Sequence, residues 1–148
     1  LKVNFIQGLN IRIIKEKQAE LLSQTKYFNN SFKYRYLTFA WDRYKDRKWI
    51  DKGIKICNEA GIPSSKMQFF VLIGFDTTQE EDYSRVMTLY EEYGAMPFVM
   101  PYNKFDQYQK KFTRWVNHRA IFKTVKWKDY NEVIRKKDYD KNQTNLDL

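Results

Sequence analysis

The chain has 148 residues, 43% of them apolar and 18% aromatic, which is about one domain's length with material for a sizeable core. Its 27 basic and 18 acidic residues give a net charge of +9, a surface that attracts phosphates, nucleic acid or an acidic partner. No apolar run approaches the ~18–20 residues of a membrane span, no signal peptide opens the chain, and the single cysteine, Cys57, excludes an internal disulfide or a multi-thiolate metal site. A cytoplasmic location with no membrane partner is the expectation.

Val3-Asn4-Phe5-Ile6 predicts a short strand, and Gly8 in the stretch after it marks a bend or a close backbone approach. The chain enters this strand almost at Leu1, which reads as a piece of something longer. Lys15 to Gln24, with Ala19, Leu21 and Leu22 among Lys and Glu, predicts a modest amphipathic helix, and Tyr27 to Arg35 a loop. Tyr36 to Trp41 predicts a second strand, closed by Asp42. From Asp46 to Ala60 the positions Trp49, Ile50, Gly53, Ile54, Cys57 and Ala60 recur at threes and fours, a helical face that Gly61 ends as a left-handed cap.

The stretch from Met67 to Asp82 changes character in its middle. Phe69 to Phe75 is apolar apart from Gly74, which suits a strand buried on both faces, as in a parallel sheet covered by helices. Thr77 with Glu80, and Thr78 with Glu81, both fit a capping box. The helix that follows, from about Gln79 to Tyr93, buries Tyr83, Val86, Met87 and Tyr90, and Gly94 closes it. Pro97 to Met100 predicts a fourth strand, stopped by Pro101. Alternating strands and helices of this kind define a parallel sheet with right-handed crossovers, in which ligands bind at the carboxyl ends of the strands, here Ile73 to Asp76. Further on, Asp106 is a candidate cap for a helix carrying Phe112, Trp115 and Val116, another short helix is expected near Lys128 to Lys136, and the polar end from Lys137 is expected to fray.

Three stretches carry a resemblance. Phe70-Val71-Leu72-Ile73-Gly74-Phe75 followed by Glu80-Glu81-Asp82 resembles the fifth strand and acidic helix start of the radical S-adenosylmethionine enzymes, the region of their glycine-rich adenine-side motif. Leu37 to Asp42, ahead of a helix ending Asn58-Glu59-Ala60-Gly61-Ile62, is similar to that family's fourth strand and helix. Phe98-Val99-Met100-Pro101-Tyr102-Asn103 looks like its sixth strand, and Val3 to Arg12 then becomes the third. The resemblance covers roughly the first two thirds of the chain. The fold it implies is α/β, a partial TIM-like barrel fragment of about four parallel strands with crossover helices. Residues 1–104 would be the second half of the barrel, 105–137 a helical extension packed on it, and 138–148 a frayed tail.

The departures from the family pattern define what such a piece does. Asp76-Thr77-Thr78 stands where Pro-Gly-Glu is usual, and the acidic motif after the second strand, which binds the methionine amino group, is absent. The Cys-x3-Cys-x2-Cys loop that holds the family's 4Fe-4S cluster is also absent, and thiolates are the usual ligands of such a cluster. The resemblance therefore implies a carboxyl-terminal part of a radical SAM enzyme, not catalytic alone. In the complete protein S-adenosylmethionine and the cluster would be the cofactors, an amino-terminal half-barrel the partner, and a 5′-deoxyadenosyl radical the agent that abstracts hydrogen from substrate.

The same resemblance implies cofactor contacts from Trp41, Asp42, Leu72, Ile73, Gly74, Phe75, Met100, Pro101 and Tyr102, and substrate contacts from Gln7, Asn10, Arg12 and Asn103. Backbone groups of Ile73, Gly74 and Phe75 would meet adenine, though Gly74 also serves simply to turn the strand. Asp42 would reach the ribose hydroxyls, or else starts a loop beneath a core tryptophan. Met100, Pro101 and Tyr102 would pack on the adenine plane, or merely end a strand. Arg12 would hold a carboxylate by charge, or lie in a solvated loop.

A second reading is a basic nucleic-acid-binding module. Lys104, Lys110, Lys111, Arg114, Arg119, Lys123, Lys126 and Lys128 alternate with Phe112, Trp115, Phe122 and Trp127, a pattern that can track phosphates and stack bases. Spacing at helical periods instead favours a core role for these aromatics. Cys57, on an apolar helix face, reads as a small buried hydrophobe, and His118 beside Arg114 and Arg119 as neither metal ligand nor base.

Overall fold

A computed structural model of the chain describes residues 1–130. The tail expected to fray lies outside the described residues. So does most of the short helix expected near Lys128, of which a 3-10 turn, Trp127–Asp129, is described.

Three parallel strands form the sheet, β1 (Leu37–Ala40), β2 (Met67–Ile73) and β3 (Met96–Pro101), in the order β1-β2-β3. Helices α1 (Glu16–Gln24), α2 (Arg47–Glu59), α3 (Gln79–Met87), α4 (Gln107–Asn117) and α5 (Arg119–Thr124) complete the fold. A π-helical turn, Thr88–Glu92, continues α3. Strands that advance in one direction through right-handed crossovers place the connecting helices on one face of the sheet. Burial follows that geometry. Leu37, Phe39, Met67, Phe69, Val71, Ile73 and Val99 are buried against Ile50, Ile54, Val86, Phe112 and Val116 in one hydrophobic cluster. The alternate positions Thr38, Ala40, Gln68, Phe70, Leu72 and Phe98 are half-buried, and Met100 is exposed.

This corrects two expectations. The apolar run through β2 is covered on one face, and its other side is half open. The strand expected at Val3–Ile6 is also not formed: the segment makes one isolated parallel bridge, Val3 with Tyr27, and a second, Leu9 with Phe39, lies beyond it. Ile6 is 76% exposed, so nothing packs on it to hold an extended ladder. Among the described residues the sheet therefore has three strands rather than four, and it is not closed.

The two edges of the sheet differ chemically. On β3 the residues whose backbone groups point away from β2 are Pro97, Val99 and Pro101, and the two prolines have no N–H to offer. The Asn117 side chain replaces a neighbouring strand, accepting from Val99 N (2.8 Å) and donating to Val99 O (2.9 Å), while Arg119 donates to the Pro97 carbonyl. That edge has no free donor. Along the β1 edge, among the described residues, Leu9 bridges Phe39, with Leu9 N donating to Thr38 O at 2.8 Å.

Local rules explain the helix ends. Thr78, not Thr77, caps α3, with its hydroxyl accepting from Glu81 N and the Glu81 carboxylate accepting from Thr78 N. Asp106 caps α4 by accepting from Gln109 N at 2.9 Å. Gly61 (φ +92°) and Gly94 (φ +70°) follow their helices in the left-handed region. Two residues assigned to buried helix faces point outward instead: Trp49 is 42% exposed and Tyr83 40%. Each lies next to the true core stripe, carried by Ile50 in α2 and by Asp82, Arg85 and Val86 in α3.

Candidate functional site

The carboxyl ends of β1 and β2 are tied together from beneath by one buried ion pair. Arg85 on α3 is fully buried and donates from Nη1 to the carbonyls of Trp41 (2.7 Å) and Asp42 (3.0 Å), and from Nη2 to that of Leu72 (2.8 Å). Asp82, one turn earlier, receives Arg85 Nη2 at 2.7 Å and also accepts from the Thr77 hydroxyl and, at 3.3 Å, from Tyr108. Burial pulls the Arg85 guanidinium below its ordinary pKa, and the Asp82 carboxylate opposes that shift. Burial, reinforced by Asp82, pushes the Tyr108 phenol up. This network fixes the backbone on which Asp42 and Leu72 stand. In the sequence Asp82 stands out only as part of the acidic helix start and Arg85 not at all, although Asp82, Arg85, Val86 and Leu89 recur at helical spacing on the buried stripe.

Gly74 leaves β2 at φ +75°, and a Cβ there would lie 2.1 Å from Nε2 of the buried Gln109. Gln109 Oε1 in turn accepts from Asn103 N at 2.8 Å, so glycine lets the α4 side chain fasten the loop after β3. The ladder continues one step further, with Tyr102 N donating to Ile73 O at 3.1 Å. Phe75 and Tyr102 emerge side by side, 65% and 63% exposed, with ring centres 4.9 Å apart. Leu72 and Met100 are in register beneath them. Asp42, Leu72, Phe75, Asp76 and Glu81 border a cavity of about 360 Å³, walled also by Arg43, Tyr44 and Lys45. Of the expected cofactor residues, Asp42, Leu72 and Phe75 line this cavity, and Gly74, Met100, Pro101 and Tyr102 do not.

A second cavity, of about 450 Å³, opens between β1 and the amino-terminal segment and is lined by Gly8, Leu9, Asn10, Arg12, Ala40, Asp42, Arg43 and Asp46. Arg12 Nη1 donates to Asp46 Oδ2 at 3.0 Å, and Arg43 grips the same carboxylate with Nε (2.9 Å) and Nη2 (3.1 Å). Asn10 Oδ1 accepts from Arg12 N and Nε, both at 3.2 Å.

The expected residues separate accordingly. Asp42 follows β1, Leu72, Gly74 and Phe75 stand at the end of β2, and Met100, Pro101 and Tyr102 at that of β3, whereas the Trp41 and Ile73 side chains are buried in the core and their carbonyls are taken by Arg85 and by Tyr102 N. Asp42 is not a free loop residue, since its Oδ1 accepts from Leu72 N at 3.3 Å. Asn10 and Arg12 line the second cavity. Gln7 is exposed without lining it, and Asn103 belongs to the β3–α4 turn, where its Oδ1 accepts from Phe105 N. Sequence reasoning missed Arg43 and Asp46, which stood in a loop and at a helix start.

The basic stretch after β3 resolves against base stacking. Phe112, Trp115 and Phe122 are buried, and Trp115 centres a cluster with Phe112, Phe122 and Trp127 at 5.0–5.6 Å. Cys57 is fully buried, and burial pushes its thiol from 9.0 up to about 11. A raised thiol pKa favours the folded state below pH 9, and that contribution is lost as pH rises toward 11, by on the order of 2 kcal/mol. Stability measured against denaturant across that window is expected to fall in the wild type and to fall less in Cys57→Ala. Equal slopes would contradict the assignment.

Comparison with protein-family models, with curated proteins and with solved structures finds no match for the chain. Among the described residues no group of three or more His, Cys, Asp or Glu side chains is placed to hold a metal ion, and no helix is long and apolar enough to cross a membrane.

Proposed function

We propose that this chain is the carboxyl-terminal part of a radical SAM enzyme, supplying the adenosine side of the S-adenosylmethionine pocket and part of the substrate wall. The observation that carries the reading is the half-open parallel sheet with Gly74, Phe75 and Tyr102 at its carboxyl end. Parallel sheets are normally covered on both faces, so Phe70, Leu72, Phe98 and Met100, which the amino-terminal segment covers only in part, call for a further cover. An amino-terminal half-barrel is the cover that fits. It would join at the β1 edge, because the β3 edge is closed by Asn117 and two prolines.

The residues present suit one cofactor and not the other. Phe75, Tyr102 and Met100 would take the adenine plane, and Asp42 the ribose hydroxyls. S-adenosylmethionine, once reduced by a cluster, supplies the hydrogen-abstracting chemistry. Cys57, buried on α2, is no ligand for a 4Fe-4S cluster, so no step is assigned to the cluster within this chain.

Anaerobic reconstitution with iron and sulfide tests the reading. Given S-adenosylmethionine and dithionite, the chain alone is expected to release no 5′-deoxyadenosine. Joined in frame to a segment encoding Cys-x3-Cys-x2-Cys from immediately upstream of the Leu1 codon, it is expected to release it. A start signal directly before Leu1, with no such frame, would remove the proposal, as would cofactor cleavage by the chain alone.

A further inference from the structure

The arginines that grip Asp46 have a second side. Arg12, Ile13, Arg43, Asp46 and Trp49 line a recess of about 400 Å³ that opens on the outer surface. We propose that this recess binds a nucleotide unit, with phosphate on Arg12 and Arg43 and the base against Trp49. The inference does not rest on the cofactor reading.

Organisation distinguishes these arginines from ordinary surface charges. Asp46 is 6% exposed, and both its oxygens are taken by the two guanidinium groups, which are thereby held in place before any ligand arrives. A guanidinium has five N–H donors. Arg12 spends Nε on Asn10 and one Nη1 hydrogen on Asp46, and Arg43 spends Nε and one Nη2 hydrogen on Asp46. Three donors on each remain for an anion. One buried carboxylate against two guanidinium groups leaves a net positive charge. Lys48 adds another cation, its Nζ 4.8 Å from the centre of the Trp49 ring.

The apolar half of the recess is equally specific. Trp49 is 42% exposed, whereas Trp41 and Trp115 are 1% and 2% exposed. Ile13, at 68%, extends the apolar surface beside it. An indole held open to solvent next to fixed guanidinium groups matches a heterocycle joined to a phosphate, and bases of any identity stack on it. The nucleic-acid reading of the sequence thus fails where the aromatics are buried, after β3, and gains a physical basis here instead.

Because Trp49 is the exposed tryptophan in the recess, fluorescence of the full chain reads binding directly. The probes are AMP, inorganic phosphate, 5′-deoxyadenosine and a short oligothymidylate. AMP or the oligonucleotide is expected to quench, while phosphate alone and 5′-deoxyadenosine, each carrying half of the recognised chemistry, bind more weakly. Followed by calorimetry, Trp49→Leu and Arg43→Gln are each expected to weaken the bound probe about tenfold. Both replace exposed side chains and leave Arg12 on Asp46, and circular dichroism verifies that they fold. Binding of AMP as tight as the oligonucleotide assigns a free nucleotide, and tighter, steeply salt-dependent oligonucleotide binding assigns a strand. Wild-type affinity in both variants, or no quenching by either probe at millimolar concentration, overturns the proposal.

Discussion

Replacing Arg85 with methionine is expected to lower the stability of the chain by about 3–5 kcal/mol, read as a shift in the denaturation midpoint. The pair it breaks is fully buried, with Arg85 and Asp82 side chains 0% and 1% exposed. Methionine fills the volume but leaves the Asp82 carboxylate in the core without its cation and leaves the carbonyls of Trp41, Asp42 and Leu72 without their donor. Coulomb attraction alone would not decide the matter, because burying two charges costs as much as their attraction returns. The asymmetry arises from stranding one partner. Removing both, in Asp82→Leu with Arg85→Met, should therefore cost less than the sum of the single changes. A loss under about 1 kcal/mol for Arg85→Met would show that the network is not holding the strand ends.

Gly74→Ala is expected to destabilise by about 2–4 kcal/mol through two separable effects. The first is backbone strain, since φ at this position is +75°. The second is steric: the new methyl would fall 2.1 Å from Gln109 Nε2, and Gln109 is buried and bound to Asn103 N. Displacing it loosens the turn after β3 and with it the Phe75–Tyr102 platform. A double-mutant cycle with Gln109→Ala separates the terms, because truncating Gln109 removes the clash and leaves the strain. Partial recovery is the expected result. A cost for Gly74→Ala within about 0.5 kcal/mol would contradict it.

Periodicity carried most of the fold. The apolar runs at 36–41, 69–75 and 97–100 each became a strand, and the helices between them ended close to where their caps and glycines stood. What escaped detection has physical reasons. A strand needs a partner on at least one side, and Val3–Ile6 has the pattern without the packing, so the single bridge of Val3 with Tyr27 is all that forms there. A helical stripe cannot say which of two adjacent residues faces inward, so Trp49 was assigned to the core that Ile50 occupies. Charged residues on an amphipathic helix read as solvated, which hid Asp82 and Arg85. Likewise Gln109 shares its spacing with Phe112 and Val116 but carries a polar head. In the candidate site the backbone signals, Gly74 and the strand ends, were legible. Arg43 and Asp46 were not, because an i,i+3 ion pair at a helix start reads as ordinary surface charge, and the Arg12 that turns it into a cluster reaches it only in the tertiary fold.

The measurement closest to the central claim is an amide chemical-shift map of the chain titrated with millimolar 5′-deoxyadenosine. The proposed adenosine site predicts perturbations concentrated at Asp42, Ile73 to Phe75, Met100 and Tyr102. Concentrations in the millimolar range suit a ligand that meets only half of its pocket. Unchanged shifts at those amides, or changes confined to some other face, would contradict the assignment.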